Sequence, residues 1–203
     1  VIKAAILDFN GVVIENNDFQ TFQAAARARG VPLSLFFFRY CLHNCAHLTG
    51  KMDSFSFWSR VLDNGRAPLT RGEFEKLLTA PYKANKPFYG VLDAVAGLRR
   101  NGVKCVLLTN TSDYQVATNR MLKRYAGFDA LVFSNEIKAM KPFPAAFEAA
   151  LKAVGARADE TLFVDDSWYN VLAATLLGFQ VVYFHSPEQL KADLKRVCGH
   201  KEG

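Results

Sequence analysis

The first residue placed to do chemistry is Asp8, in Asp8-Phe9-Asn10-Gly11-Val12-Val13, where an apolar run over 2–7, broken only by Lys3, meets a turn. A carboxylate at the carboxyl end of a buried strand lies where open α/β sheets place their ligands. Such a carboxylate can act as a nucleophile. Gly11 lets the backbone bend tightly and come close to whatever Asp8 touches. Three later segments end in groups of the same kind. Val106-Leu107-Leu108-Thr109-Asn110-Thr111 finishes in hydroxyl and amide side chains, and Lys141-Pro142 sets a cation ahead of a helix-starting stretch, Phe143-Pro144-Ala145-Ala146-Phe147. Thr161-Leu162-Phe163-Val164-Asp165-Asp166-Ser167 terminates in two adjacent acids, which repel each other unless a cation or hydrogen-bond donors sit beside them. Each piece alone also has a plainer reading. Asp8 then is a turn acid, Thr109 to Ser112 cap a helix starting near Asp113, and Lys141 is a solvated surface lysine.

These groups need elements to bring them together. Strand-like runs fall at 4–7, 103–108, 130–134, 161–164 and 180–184, with helical patterns between the later ones at 91–101, 113–125, 144–154 and 170–177. Alternation at this spacing argues a parallel sheet covered on both faces. Gly102, Gly127, Gly155 and Gly178 follow the helical patterns, as glycines at helix C-termini do. Residues 15–86 break the alternation, with four helical stretches at 19–29, 33–48, 54–62 and 71–78 and no convincing strand. Turn signals at Gly30-Val31-Pro32, Gly50 and Asn64-Gly65 separate them. An all-helical insertion directly after the first strand is expected to form a small separate lobe, with Ala84-Asn85-Lys86-Pro87 as the return linker.

Composition sets the outer bounds. A chain of 203 residues, 50% hydrophobic, can bury one full core plus a smaller appendage. No run of about 18 uncharged apolar residues points to a membrane span. The opening 1–7 is too short for the apolar core of a signal peptide and reads as a strand. A net charge of +6 favours anionic partners, but the basic residues are scattered, which argues against a nucleic-acid surface. The four cysteines, Cys41, Cys45, Cys105 and Cys198, show no disulfide framework, which fits a reducing cytoplasm. Cys41-Leu42-His43-Asn44-Cys45-Ala46-His47 invites a zinc reading; on a helix, however, the two cysteines share one face and the two histidines another, so four ligands do not meet at one ion.

Nucleophilic acid, hydroxyl, lysine and acid pair, in that order and each at a strand or loop end, resemble the haloacid dehalogenase superfamily of hydrolases. Within it the chain looks most like phosphatase-type members with a small helical cap, and the resemblance covers the whole chain. It implies an α/β fold: a Rossmann-like parallel sheet with helices on both faces, and a small all-helical cap inserted after the first strand. Residues 1–14 and 86–203 would form the catalytic α/β core, and residues 15–85 the cap that closes over the site and selects substrate. The resemblance assigns attack on phosphorus, or on carbon in the dehalogenases, to Asp8. It assigns Mg²⁺ to the carboxylates of Asp8 and Asp166 and the main-chain carbonyl of Asn10, a hard ion suited to a few oxygen ligands. Asp165 would act through water or from behind the ligands, Lys141 would offset charge gathered at the phosphate, and Thr109 with the Asn110 backbone amide would donate hydrogen bonds to its oxygens. The partner implied is a small phosphorylated metabolite, handled by a monomer or homodimer in the cytoplasm.

Asn10 departs from the phosphatase pattern, which has an aspartate there to protonate the leaving alcohol and then activate water. An amide can hydrogen-bond but cannot act as acid or base at neutral pH. Three readings stay open: a substitution introduced to slow turnover, a natural member with reduced or redirected activity, or a dehalogenase-type enzyme, whose branch does not keep the second acid. The acid pair argues against the last, because carbon–halogen displacement by a carboxylate needs no divalent metal. Of the insertion's aromatics, Phe36, Phe37 and Phe38 cannot all face one side of a helix, so at least one faces the main domain or the site. Arg39, His43, Lys51 and Arg60 are candidate substrate contacts.

Overall fold

The computed structural model describes residues 1–198. Five parallel strands, β1 (Ala4–Leu7), β2 (Lys104–Thr109), β3 (Ala130–Phe133), β4 (Thr161–Asp165) and β5 (Gln180–Tyr183), form one sheet in the order β3-β2-β1-β4-β5. Helices α1 (Asp18–Ala28), α2 (Leu33–Leu48), α3 (Ser54–Val61), α4 (Arg71–Phe74) and α5 (Ala80–Lys83) lie between β1 and the return to the sheet, with a π-helical turn, Glu75–Thr79, joining the last two. Then follow α6 (Tyr89–Arg100), α7 (Asp113–Met121), α8 (Ser134–Ile137), α9 (Pro144–Val154), α10 (Trp168–Leu176) and α11 (Pro187–Cys198). No helix among the described residues is long and apolar enough to cross a membrane.

Why β1 sits in the middle follows from its side chains. All four residues are apolar and buried, as a strand covered on both faces requires. Successive side chains point to opposite faces. Ala5 and Leu7 enter one core with Val91 and Val95 of α6, Val116 of α7 and Leu190 of α11. Ala4 and Ile6 enter the other with Phe147 and Ala150 of α9 and Ala174 of α10. The register Leu7↔Leu107 and Leu7↔Val164 brings the carboxyl ends of β2, β1 and β4 level.

The helical insertion has a third core, built on Phe36, Phe57, Trp58, Val61 and Leu78. Phe36 is the inward member of the phenylalanine triplet, while Phe38 faces solvent. Two connecting stretches carry the chain out and back side by side. The Glu15 amide donates to Lys86 O, the Phe88 amide donates to Val13 O, and Ile14 bridges Pro87 in antiparallel sense. Tyr82, within the stretch expected to belong to the insertion, instead packs into the sheet's core.

The expected strands and most helices lie within a residue or two of their sequence positions. Three differences have physical causes. The helix expected over 113–125 stops at Met121 because Lys123 turns left-handed at φ 55°. That turn swings Tyr125 into the core, where its ring stands 5.0 Å from both Phe9 and Phe133. The 71–78 stretch runs on as α4, a π turn and α5, which carries Tyr82 to the sheet. Helix α11 was not anticipated, although Ser186-Pro187-Glu188-Gln189 carries a start signal: the Gln189 amide donates to Ser186 Oγ, and Gln189 Oε1 accepts from the His185 amide.

Candidate active site

Asp8 follows β1, Thr109 ends β2 and Asp165 ends β4, so three neighbouring strands deliver their last side chains to one crevice. The strand order reverses between β1 and β4, the switch point at which open parallel sheets bind ligands. The loop between α8 and α9 adds Lys141, and Asn110 fixes that loop. Its side-chain Nδ2 donates to Lys141 O and its Oδ1 accepts from the Lys141 amide, both at 2.8 Å.

Lys141 is no surface lysine: 1% of it is exposed. Its ammonium lies 2.8 Å from Asp8 Oδ1 and 2.6 Å from Asp165 Oδ2. Burial pulls its pKa down, and Asp165 and Asp8 more than offset that, holding the group above the ordinary lysine value. Burial pushes Asp8 above the usual carboxylate range, against the opposing pull of Lys141 and with Asp165 and Asp166 adding to the rise. Burial and then Asp165 raise Asp166 as well, against Lys141.

Asp165 is fully occupied. Besides Lys141 it accepts from the Ser167 amide at 2.8 Å and, through both oxygens, from Asn170 Nδ2 at 3.1 Å. Asp8 and Asp166 keep carboxylate oxygens open to the crevice. Oxygens of Asp8, Asp165 and Asp166 lie within 4.8 Å of one another, so three acids face one lysine and the excess negative charge suits a divalent cation. Gly11 (φ 90°) passes so close to Asp166 that a Cβ there would overlap Asp166 Oδ2. Only glycine lets the turn hold the two carboxylates this near. Among the described residues no backbone amide donates to the Asn10 carbonyl, leaving it able to ligate. These residues fit Mg²⁺.

Two further groups point at the crevice. Thr109 Oγ1 is buried and has no hydrogen-bond partner, a donor waiting for an oxygen. Asn10 Oδ1 accepts from the Tyr82 hydroxyl at 3.0 Å, and that hydroxyl accepts from Asn119 Nδ2 at 2.7 Å. With its carbonyl end thus engaged, Asn10 is left offering its NH₂ to the crevice. The arrangement joins a carboxylate able to attack, a fixed cation, an unpaired hydroxyl and a seat for a divalent ion.

The cavity over these groups holds about 310 Å³, and its far wall comes from the helical insertion through Asn16, Asp18, Tyr40, Asn44 and Leu48. Sequence reasoning singled out Asp8, Asn10, Thr109, Asn110, Lys141 and Asp166, and the fold brings all six to this cavity. It missed Asp18 and Tyr82, for which the sequence held only the polar cluster Asn16-Asn17-Asp18 after the first motif and a lone tyrosine. Arg39, His43, Lys51 and Arg60 do not line the cavity; Arg39, for one, donates to Asp63 O on the insertion's outer side. The zinc reading fails as expected. Cys41 and Cys45 are exposed, whereas the buried His47 stacks on Phe57 with ring centroids 4.1 Å apart.

Comparison with known proteins agrees with this arrangement. The family model for haloacid dehalogenase-like hydrolases matches residues 2–178. Phosphoglycolate phosphatase 1 of Pseudomonas aeruginosa is 37% identical over 92 residues, 44% of this chain and 33% of that protein. Haloacetate dehalogenase H-2 of a Moraxella species is 31% identical over 111 residues, 53% of this chain and 49% of that protein. The chain thus matches less than half the length of either relative. A HAD family enzyme of Bacteroides thetaiotaomicron, solved in complex with magnesium and inorganic phosphate, shares the fold with a TM-score of 0.73 at 21% identity, covering 92% of this chain and 96% of that one.

Proposed function

Because this chain belongs to the haloacid dehalogenase-like hydrolases, we propose that it hydrolyses a small phosphate monoester through an aspartyl-phosphate intermediate on Asp8. Mg²⁺ is its cofactor, and Asn10 occupies the general acid–base position. The observation that carries this reading is the three-acid cluster of Asp8, Asp165 and Asp166 around a single lysine. Attack on a carbon–halogen bond would leave Asp166 without a counter-ion.

Asp8 attacks phosphorus with the oxygen Lys141 does not hold. The phosphorus–oxygen bond to the alcohol breaks, and the departing oxygen keeps the electron pair and takes a proton from water, since the Asn10 amide has none to give. A water molecule then attacks phosphorus, the bond to Asp8 breaks, and inorganic phosphate leaves with Asp8 restored. Thr109 donates to a phosphoryl oxygen throughout, and Lys141 balances charge on the nucleophile's side. Mg²⁺, when bound by Asp8, Asp166 and the Asn10 carbonyl, supplies neutralisation of the phosphoryl charge. The insertion, residues 15–85, serves as the cap that shuts bulk solvent out of the cavity. The substrate is a small phosphorylated metabolite.

The Asn10→Asp variant tests this. It changes almost no volume and restores a titratable group at the leaving oxygen, so turnover of alkyl phosphates should rise by roughly 10²–10⁴-fold. The unmodified protein should accumulate phosphate on Asp8, seen by mass spectrometry as a gain of about 80 Da that Asp8→Ala abolishes. If Asn10→Asp turns over no phosphate ester, the proposal falls, and a dehalogenase-type hydrolase, to which Asn10 and the Moraxella relative lend weight, or a catalytically inactive binding or regulatory protein takes its place.

A further inference from the structure

Next to the crevice lies a second chamber of about 400 Å³ whose walls include Asn16, Asp18, Phe19, Phe22, Phe37 and Tyr40. Asn16, Asp18 and Tyr40 line both spaces, so Asp18 stands at the boundary between the phosphate end and the chamber. Among the described residues the chamber's lining contains one acid and no lysine, arginine or histidine. Among the described residues lining the inner cavity the only basic side chain is Lys141, already held between Asp8 and Asp165. A leaving group bearing a carboxylate would therefore meet Asp18 with no cation to receive it.

Asp18 opens α1, where an acid favours the helix dipole, but a solvated side chain would serve that purpose equally well. Here the carboxylate turns inward instead. Its one side-chain partner among the described residues is the neutral amide of Gln115, 3.3 Å away, and it enters no ion pair among them. Around it stand aromatic rings in mutual contact, Phe22 with Tyr40 at 5.7 Å and Phe19 with Phe37 at 5.9 Å between centroids. Phe19 and Phe37 line the chamber while part of their surface stays exposed. An unpaired carboxylate among aromatic faces is the chemistry that receives an ammonium group, which both the charge and the ring quadrupoles attract.

We propose that Asp18 with Phe19, Phe22, Phe37 and Tyr40 forms a cation subsite, and that the substrate is the phosphate monoester of an amino alcohol. This rests on the phosphatase reading for the phosphate end alone. The probes are phosphocholine, its neutral isostere 3,3-dimethylbutyl phosphate, and phosphoglycolate, assayed with the Asn10→Asp protein. Phosphocholine should exceed both others in kcat/KM by roughly tenfold or more. Asp18→Asn should collapse that ratio toward one, and Phe37→Ala, at a half-exposed position that keeps the fold, should lower it several-fold. Tetramethylammonium titrated into the unmodified protein should bind by calorimetry, and Asp18→Asn should abolish that binding. Equal turnover of the charged and neutral esters, or a preference for phosphoglycolate, overturns the subsite while leaving the phosphatase standing. Cation binding without turnover of any ester upholds the subsite and removes the phosphatase.

Discussion

At the scale of single residues, this crevice gathers charge that only neighbours make tolerable. Asp165 is saturated by Lys141, Asn170 and the Ser167 amide, so the proposed metal depends on Asp8 and Asp166. Asp166→Ala removes one of only two direct carboxylates; calorimetry should show a single Mg²⁺ binding event in the unmodified protein and none in the variant. Asp18 makes a prediction of opposite kind, about pH. Burial raises it from 3.8 to about 6, with Gln115 opposing. A carboxyl whose pKa is raised on folding adds stability that is complete below its unfolded value and lost as pH rises through its folded value. The protein should therefore lose up to about 3 kcal/mol relative to Asp18→Asn between pH 3.8 and about 6. Denaturant midpoints of the pair across that range check it; parallel curves would mean Asp18 is freely solvated.

At the scale of elements, the contact between the insertion and the sheet includes a few bonds between helix ends. Ser54, at the start of α3, donates both its amide and its hydroxyl to Asp113 Oδ1 at the start of α7. Ser134 Oγ, opening α8, donates to Leu48 O at the end of α2 at 2.6 Å. Lys138 adds a bond to Gly50 O. Asp113→Ala strips both Ser54 donors of their acceptor. It should lower stability by about 1 kcal/mol and raise KM several-fold with a smaller fall in kcat, since lid contacts are made when the site closes. Steady-state kinetics on the Asn10→Asp background measure this; an unchanged KM would mean the insertion does not open during turnover.

At the scale of the whole molecule, two cores flank the sheet and a third holds the insertion together, so the two parts should survive separation at the paired linkers. Tyr82 complicates the boundary. It lies in α5, packs into the sheet's core and hydrogen-bonds Asn10. Replacing residues 16–80 with a short Gly/Ser loop should leave a folded α/β unit, whereas removing 16–85 should destabilise it further. Tyr82→Ala alone should cost roughly 3–5 kcal/mol, the usual range for emptying a buried aromatic site. Thermal or denaturant unfolding of the three proteins would test this, and equal stability of the two deletions would place Tyr82 outside the core.

The sequence by itself determined the strands, the helix-rich insertion and the chemical groups at the strand ends. Apolar runs that stop at an acid or hydroxyl record, within a few residues, both a buried strand and the side chain it presents at its end. Asp8, Thr109 and Asp166 were legible for that reason; Lys141, in the α8–α9 loop, was legible only from its place in the order of the four motifs. Only the tertiary structure decided that Lys141 is buried between two acids, that Asp165 is spent on hydrogen bonds, that Tyr82 serves Asn10 from 72 residues away and that Asp18 faces the cavity. The last two depend on how the insertion seats on the sheet, and the first two on where the α8–α9 loop meets the ends of β1 and β4, in each case a meeting of surfaces distant in the chain. Local periodicity carries no record of which face turns toward which.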